Sequence, residues 1–480
     1  MKQKSVGINA VLSIIKQSLA ILLPMITVYY ASRVLGKEYF GEVNYVRSII
    51  SYFVLISGLG IQTYAVREGA YYRDNPKKFN RFADQVFTIN IISTIIAVFV
   101  LLFFILIPSS PFYNEKSLML IFGLEILLQT FGAEWINSAY EDFLYITIRY
   151  IVCNIIALIL LFALVRNESD YCIYAFILVL STYGGNLLNI FYIRKYAKLK
   201  LTSLRKCKKH IKPIMYLFST EIASTIYISS DTTMLGALVG NSPVAIYTVA
   251  SNIYTAVKRL SNAAITVALP RLSFYASKND IDSFKRLFTK IVNYVLVILL
   301  PSIVGVFMLS KQLMIFMGGE EYAQGYISLQ ILSIAILFGV CSYLLSRCVI
   351  LPYKQDKTYM IATIISAIIN IVLNIFLIPV FSYNGAAFTT LISEVIIFAI
   401  LYKKAKDLVS ISIDKKSTCI SLNGCILIAL CCVVVEKFNY KTLPTIIISI
   451  MVSIILYILN LYIFKHPVFI DILKKAKKRK

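Results

Sequence analysis

Charged side chains interrupt the long apolar runs of this 480-residue chain, at positions from which hydrocarbon would exclude them. A charge at the centre of a bilayer raises the free energy by about 3 kcal/mol or more, so each such residue needs a partner or water. The cations are Lys16, Arg47, Arg149, Lys258, Arg259 and Arg347, and the anions are Glu125, Glu134, Glu221, Asp231 and Glu394. This pattern predicts a hydrated interior that binds charge.

Four of the cations are predicted to bind the anionic headgroup of a ligand: Lys16, Arg47, Lys258 and Arg259. Such residues attract a diphosphate while specifying the rest of the ligand only loosely. A lysine at position 16 binds as a point charge, without the bidentate geometry of an arginine. The alternatives are structural ion pairs and, for Arg47, Arg149 and Arg347, side chains that extend toward the nearest membrane surface.

Three carboxylates within apolar runs have two interpretations that residue type alone leaves open. Asp231, Glu221 and Glu125 either bind a coupling H⁺ or Na⁺ or hydrogen-bond to neighbouring helices. Glu134 and Glu394 are predicted to be structural.

The chain lacks the sequence signatures of an enzyme. It has no Gly-rich phosphate loop, no paired catalytic carboxylates and no nucleophile beside a base. The nine Cys show no metal-ligand spacing, and there are only two His. We therefore predict no catalytic residues, no metal site and no cofactor beyond a coupling ion.

Composition places the chain in a membrane. It is 59% hydrophobic and only 15% charged, whereas soluble domains average about 25% charged residues. The net charge of +24 comes from Lys and Arg in short segments between apolar runs, not from one basic face. A nucleic-acid partner is therefore not expected.

The apolar runs predict an all-α polytopic protein with about fourteen transmembrane helices. Their continuity argues against barrel strands, which alternate in polarity over about 10 residues. The predicted spans are residues 8–31, 42–65, 86–107, 117–139, 143–165, 171–193, 214–239, 244–268, 288–309, 326–350, 359–379, 384–402, 417–435 and 443–464.

The distribution of Lys and Arg predicts the orientation. With the N-terminus inside, about 34 of them lie on the inner side and about seven on the outer side, and an even number of spans makes both termini cytoplasmic. The inner segments include the basic stretch 194–212 and the C-terminal KKAKKRK at 474–480.

The sequence also repeats weakly, at a spacing of a little over 200 residues. VLGKEYFG at 34–41 corresponds to LVGNSPVA at 238–245, and DFLYI at 142–146 corresponds to DKTYM at 356–360. The repeat predicts an N-terminal six-helix lobe over 1–193, a basic linker over 194–213, a second six-helix lobe over 214–402, and a terminal helix pair with a basic tail over 403–480.

Several motifs resemble the Wzx/RfbX polysaccharide flippases of the multidrug/oligosaccharidyl-lipid/polysaccharide exporter superfamily, abbreviated MOP. They are SRVLG at 32–36, VRE at 66–68, YEDFLYITIR at 140–149 after Trp135, DTTMLG at 231–236 and ALPRLS at 268–273. The resemblance covers most of the chain. It implies a two-lobed V-shaped transporter in the bacterial plasma (inner) membrane that is similar to MATE exporters.

This resemblance also implies a function. Such a protein moves undecaprenyl-diphosphate-linked oligosaccharide repeat units from the cytoplasmic to the outer leaflet by alternating access, for O-antigen, capsule or exopolysaccharide synthesis. Polysaccharide polymerase and chain-length proteins would be its partners, beside membrane lipids. Related lipid II flippases carry lumenal cations at places comparable to Lys16, Arg47 and Lys258/Arg259.

Three other functions remain as alternatives. A MATE-type cation-coupled drug exporter would have the same architecture, but its lumen would be acidic or apolar. A lipid II flippase would differ in being essential. A membrane glycosyltransferase or polysaccharide polymerase belongs to another class, and the short loops argue against it.

Overall fold

A computed structural model of the chain describes residues 6–108, 112–266, 269–410 and 414–471; the side chains of residues 6–17 and 264 are not described. The Lys16 side chain and the basic tail 474–480 therefore lie outside the described residues. Within them the chain is helical, with no strand.

The chain divides into two compact units, with the boundary between Ala245 and Ile246. The first contains α1 Val6–Val34, α2 Gly36–Gly58, α3 Ile61–Tyr72, α4 Pro76–Leu106, α5 Lys116–Gly132, α6 Trp135–Ala139, α7 Phe143–Leu164, α8 Tyr171–Val179, α9 Gly185–Tyr192 and α10 Leu204–Leu238. A π-helical turn, Leu180–Gly184, joins α8 to α9.

The second unit continues from α11, which begins in the first. Its helices are α11 Asn241–Thr266, α12 Leu269–Ser277, α13 Ile281–Met308, α14 Ser310–Gly318, α15 Tyr326–Leu345, α16 Asp356–Leu408, α17 Lys415–Lys437 and α18 Thr442–Ile463. Another π-helical turn, Ser346–Ile350, follows α15. Here α15 packs on α13 and α16, while α17 packs on α13 and α18.

The packing and the sequence repeat divide the chain differently. The repeat places the span 214–239 at the start of a second lobe, whereas α10 packs along α2, α3 and α4 within the first unit. One division is inferred from sequence repetition and the other from contacts, so the lobe boundaries stay a prediction.

The helices confirm the polytopic membrane fold but not the number fourteen. Ten helical stretches within the described residues are long and apolar enough to span a membrane, and a shorter apolar helix covers Ser18–Val34. Helices α10 and α11 are not among the ten; they carry Glu221, Asp231, Lys258 and Arg259. Many large apolar side chains on the spanning helices are exposed, as expected of surfaces that face lipid.

Helix α16 is a single element of 53 residues that contains one break. Ser382 has the left-handed φ of 51°, shortly after Pro379, and the two sides of this residue correspond to the predicted spans 359–379 and 384–402. A proline removes a backbone donor and kinks a helix, which gives the break a physical cause. Helix α16 can therefore accommodate two membrane crossings, one on each side of Ser382.

Hydroxyl groups join α2 to α10. The Ser48 hydroxyl lies 2.8 Å from the Thr233 hydroxyl, and Ser51 donates to Ser229 at 3.0 Å. Each hydroxyl has a single hydrogen, which can instead be donated within its own helix, from Ser48 to Tyr45 O at 2.6 Å or from Thr233 to Ser229 O at 3.0 Å. Gly236 allows α10 to pack closely against α2, because a Cβ at this position would lie 2.0 Å from the Tyr45 ring.

Residues 197–203 form an extended strap along α4. The backbone N–H groups of Lys198, Lys200 and Thr202 donate to side-chain oxygens of Asn80, Asp84 and Thr88, at 3.0, 2.8 and 3.0 Å. The acceptors are four residues apart on α4, which corresponds to a rise of about 6 Å along a helix. The donors are two residues apart in the strap, which corresponds to about 6.6 Å along an extended chain, so the donor and acceptor spacings match. The match holds the segment between α9 and α10 in one register.

His210 joins three helices just before the predicted span 214–239. Its Nδ1 accepts from the Tyr64 hydroxyl at 2.6 Å, and its Nε2 donates to Gln85 Oε1 at 2.8 Å, an arrangement that requires the neutral ring. Burial, with a smaller contribution from the charge of Lys209, lowers the pKa of His210 to about 4. Burial also lowers the pKa of His466, the only other histidine.

Because the pKa values of both histidines are lowered in the folded protein, we expect the protein to lose stability on acidification. The unfolded chain takes up a proton at His210 below about pH 6.5, whereas the folded protein does not until about pH 4, so stability is full above pH 6.5 and falls as the pH drops toward 4. We expect His210→Gln to reduce the fall in thermal unfolding temperature between pH 7 and 5, measured in detergent. The double variant with His466→Gln should reduce it further. A fall equal to that of the unmodified protein would contradict this account.

Candidate functional site

Arg47 is the centre of a polar cluster within the first unit. Its Nη2 donates to Thr182 Oγ1 at 2.9 Å, and its Nε lies 3.9 Å from Glu125 Oε1. Three elements therefore converge on one guanidinium: α2, α5 and the π-helical turn that carries Thr182. The Arg47 side chain remains 35% exposed, while that of Glu125 is 7% exposed.

Glu125 is the buried carboxylate of this cluster. Its Oε1 atom has no hydrogen-bond donor among the described residues, and Arg47 is the cation paired with it. A cation beside a buried carboxylate stabilises its charged form. The charge state of Glu125 is therefore linked to the position of Arg47.

Arg149 and Glu134 form a second pair beside the first. The Arg149 side chain is 5% exposed and its Nη2 donates to Glu134 Oε2. The two residues line a cavity of about 30 Å³ together with Thr182, the residue that also holds Arg47. This volume admits a water molecule, and Arg149 Nη1 has no other partner among the described residues. The burial of Arg149 corrects the interpretation in which it extends toward the membrane surface.

Lys258 lies in a cluster of the second unit. Its ammonium contacts Glu394 Oε1 and lies 3.0 Å from the Tyr254 hydroxyl, which donates to Glu394 Oε1 at 2.7 Å. Glu394 is on α16, and Gly339 on α15 leaves room for the pair, since a Cβ at Gly339 would lie 2.7 Å from Lys258 Cε. The cluster thus connects α11, α15 and α16.

The remaining predicted site residues are spread over other helices. Arg259 is exposed, next to Lys258 on α11. Glu221 is half-buried on α10 and accepts from Thr63 Oγ1 at 3.2 Å. Asp231 is buried further along α10. Within each unit, the structure therefore brings together Arg47 with Glu125, and Lys258 with Glu394, but not the predicted residues as one set.

The sequence interpretation missed the polar partners of these cations. It did not identify Tyr254 or Thr182, nor Gly339, which leaves room for Lys258. Tyr254 lies one helical turn before Lys258 and on the same face of α11. Thr182 has no comparable signal in the sequence, because its position depends on the π-helical turn. Among the described residues no three His, Cys, Asp or Glu side chains form a metal-binding group.

The Lys258–Glu394 pair predicts non-additive effects on stability. Removing one partner leaves an uncompensated buried charge, so Glu394→Gln and Lys258→Met should each lower the free energy of unfolding, by up to about 3 kcal/mol. The double variant should lose less than the sum, because neither charge is then left alone. Thermal unfolding in detergent measures the three losses, and additive losses would show that the pair is not coupled.

Gly339 offers a steric test of the same cluster. Gly339→Ala should displace Lys258 from Glu394 and lower the unfolding temperature. Gly305→Ala on α13 is the matched control, since a Cβ there meets no atom within 4 Å. Equal responses of the two variants would exclude a close approach of Lys258 to α15.

Among three curated relatives, two match most of the chain. The capsular polysaccharide biosynthesis protein CapF of Staphylococcus aureus is 25% identical over 361 residues, which are 74% of this chain and 87% of that protein. A putative O-antigen transporter of Escherichia coli K12 is 21% identical, over 82% of this chain and 95% of that protein. A probable low-salt glycan biosynthesis flippase, Agl15 of Haloferax volcanii, is 23% identical over 41% of each chain.

Two solved structures share the fold. The lipid II flippase MurJ in an inward closed conformation has a TM-score of 0.74 and 18% identity, over 95% of this chain and 99% of that one. An inward-facing multidrug resistance MATE transporter of the MOP superfamily has a TM-score of 0.61 and 12% identity, over 83% and 97%. At these identities the likeness establishes the fold alone.

The sequence also matches a protein-family model. The model is described as polysaccharide biosynthesis protein, and it matches residues 6–276, more than half of the chain. With the MOP transporter fold and the polysaccharide-related relatives, this match identifies the chain as a member of the polysaccharide biosynthesis protein family.

Proposed function

We propose that the protein is a flippase that moves undecaprenyl-diphosphate-linked oligosaccharide repeat units from the cytoplasmic to the outer leaflet by alternating access. The observation that carries this proposal is the family match over residues 6–276. Relatives named for capsule, O-antigen and glycan flipping support it. The product would serve O-antigen, capsule or exopolysaccharide synthesis. The protein acts as a transporter and not as an enzyme.

The membrane and the orientation are part of the proposal. The protein spans the bacterial plasma (inner) membrane with both termini in the cytoplasm, because Lys and Arg concentrate in segments such as 194–212 that this orientation places inside. Polysaccharide polymerase and chain-length proteins are its proposed protein partners.

Arg47 is the residue best suited to contact the diphosphate. It is about one-third exposed, and a guanidinium has five N–H donors, of which one bonds Thr182. Arginine pairs with phosphate through two parallel hydrogen bonds and retains its charge when buried. Lys16 and Arg259 are proposed to add charge along the path.

Lys258 contributes in a different way, because it is already paired with Glu394. It can bind a phosphate only when that pair opens, which a proton on Glu394 would favour. Glu125 is likewise a carboxylate beside a candidate phosphate-binding cation, since its Oε1 lies 3.9 Å from Arg47 Nε. We therefore propose Glu125 as the first candidate for H⁺ coupling, with Asp231 and Glu221 as further candidates for H⁺ or Na⁺.

The alternatives differ in their cargo. The MATE-type drug exporter and the lipid II flippase share the fold, so the fold does not separate them from the proposed function. The polysaccharide-related names of the relatives favour lipid-linked oligosaccharide over both.

The direct test locates the cargo. In a deletion strain we expect full-length undecaprenyl-linked repeat units to accumulate on the inner leaflet, shielded from an impermeant sugar-modifying reagent. Incomplete or absent units would instead indicate a role in synthesis. Units that still reach the outer leaflet would exclude the proposed function.

Arg47 provides the residue-level test. Arg47→Ala should reduce surface polysaccharide by about 10-fold or more, since charge-assisted bonds to phosphate contribute about 1.5–3 kcal/mol each, and Arg47→Lys should retain part of it. The exposed cation Arg286 on α13 provides the control variant Arg286→Ala. Membrane levels of each variant are measured by immunoblot. Normal polysaccharide with Arg47→Ala would exclude a contact between Arg47 and the cargo.

A further inference from the structure

A groove in the first unit lies apart from the charged clusters described above. Its volume is about 420 Å³, within the range of small-molecule sites. The residues that line it are Phe87, Phe131, Ile190, Ile193, Arg194, Ala197, Lys198 and Leu199. It therefore combines an apolar wall with two cations.

The apolar wall is continuous with a surface that faces lipid. Phe131 ends a stripe of exposed side chains along α5 that includes Leu120, Leu124 and Leu127. On α9, the neighbours of Ile190 that point outward are Leu187, Leu188 and Phe191. An acyl chain can pass from the bilayer along these side chains into the groove.

The cations stand at the boundary between the apolar helix and water. Arg194 follows α9 at the end of a membrane-spanning stretch, Glu168–Lys195, and Lys198 follows on the strap. Both side chains are exposed, and the Arg194 guanidinium lies 5.3 Å from the Phe191 ring. This is the depth at which a phospholipid carries its phosphate.

The backbone around the groove is held in place. Lys198 N–H donates to Asn80 at 3.0 Å, and the next bonds of the strap fix Lys200 and Thr202 along α4. These bonds use backbone nitrogens, so the Lys198 side chain takes no part in them. The buried Ile193 and Ala197 belong to an apolar core cluster of the first unit. The groove is thus held by backbone bonds and apolar packing, and the Lys198 side chain takes no part in the bonds of the strap.

We propose that this groove binds an anionic phospholipid, with its phosphate at Arg194 and Lys198 and an acyl chain along Phe87, Phe131 and Ile190. Charge complementarity selects this occupant, because basic pockets beside transmembrane helices on the cytoplasmic side bind acidic headgroups. The inference does not depend on the transported cargo. Only the assignment to the inner leaflet depends on the proposed orientation.

The test compares two lipids with identical acyl chains, phosphatidylglycerol and phosphatidylcholine, added to the detergent-purified full-length protein. Native mass spectrometry measures the bound fraction of each. We expect at least about 10-fold tighter binding of phosphatidylglycerol, since each of the two cations near an anionic lipid contributes roughly fivefold. Equal binding of the two lipids would overturn the proposal.

Matched double variants locate the site. R194Q/K198Q should lose the preference for phosphatidylglycerol, whereas K195Q/K200Q removes the same charge from the same segment but from residues that do not line the groove. Equal losses in both would indicate diffuse attraction and overturn the site. Unfolding temperatures without added lipid show that both variants fold.

A third arm distinguishes the occupant. Ile190→Trp narrows the apolar wall and should weaken both lipids, while leaving the preference for phosphatidylglycerol. Undecaprenyl phosphate is added as a competitor at equal concentration. If it displaced phosphatidylglycerol completely, the groove would belong to a polyprenyl chain and the proposal would fail.

Discussion

A charge enclosed by membrane-spanning helices must be balanced inside the protein, because hydrocarbon offers neither water nor counterions. This constraint organises both units. Arg47 is balanced by Glu125 on α5 and oriented by Thr182, while Lys258 is balanced by Glu394 on α16 and contacted by Tyr254. The partners lie far apart in sequence, so each pair joins helices that would otherwise share only apolar contacts. Charge balance thereby determines which helices are neighbours.

The same constraint applies to the backbone. Where regular helix stops within a span, the polar groups still need partners. At Leu180–Gly184 the chain meets this need with a π-helical turn, which shifts the helical phase without ending the helix. A second π-helical turn, Ser346–Ile350, is followed by the end of its helix. Outside the spans, backbone N–H groups of the strap instead donate to side-chain oxygens of α4. The first of these turns carries Thr182, so an irregularity of the backbone becomes a contact for Arg47.

Much of this architecture could be predicted from the sequence, since apolar run length determines which segments span a membrane. The division of α16 near Ser382 also agrees with the sequence prediction, which places separate spans at 359–379 and 384–402. The charged residues were also recognisable, but their partners were not. Lys258 and Glu394 carry no signal of proximity, and Arg149, interpreted as extending toward the surface, is buried against Glu134 because Gly185 leaves room for it. Such pairings depend on helix rotation, which local sequence leaves undetermined.

The hydroxyl contacts between α2 and α10 have a consequence for motion. Ser48, Ser51 and Thr233 each lie within hydrogen-bond distance of a carbonyl of their own helix as well as of a hydroxyl across the contact, and the single hydrogen of each can be donated within the helix. If the helices separate, every one of these groups keeps a hydrogen bond and can take up a water molecule in place of its lost neighbour. Separation therefore leaves no orphaned polar group, which is the main penalty that holds buried polar surfaces together. The contact between the two helices is therefore specific when closed, and its hydration costs little free energy when the helices separate. Such a contact can open and close repeatedly without unfolding either helix.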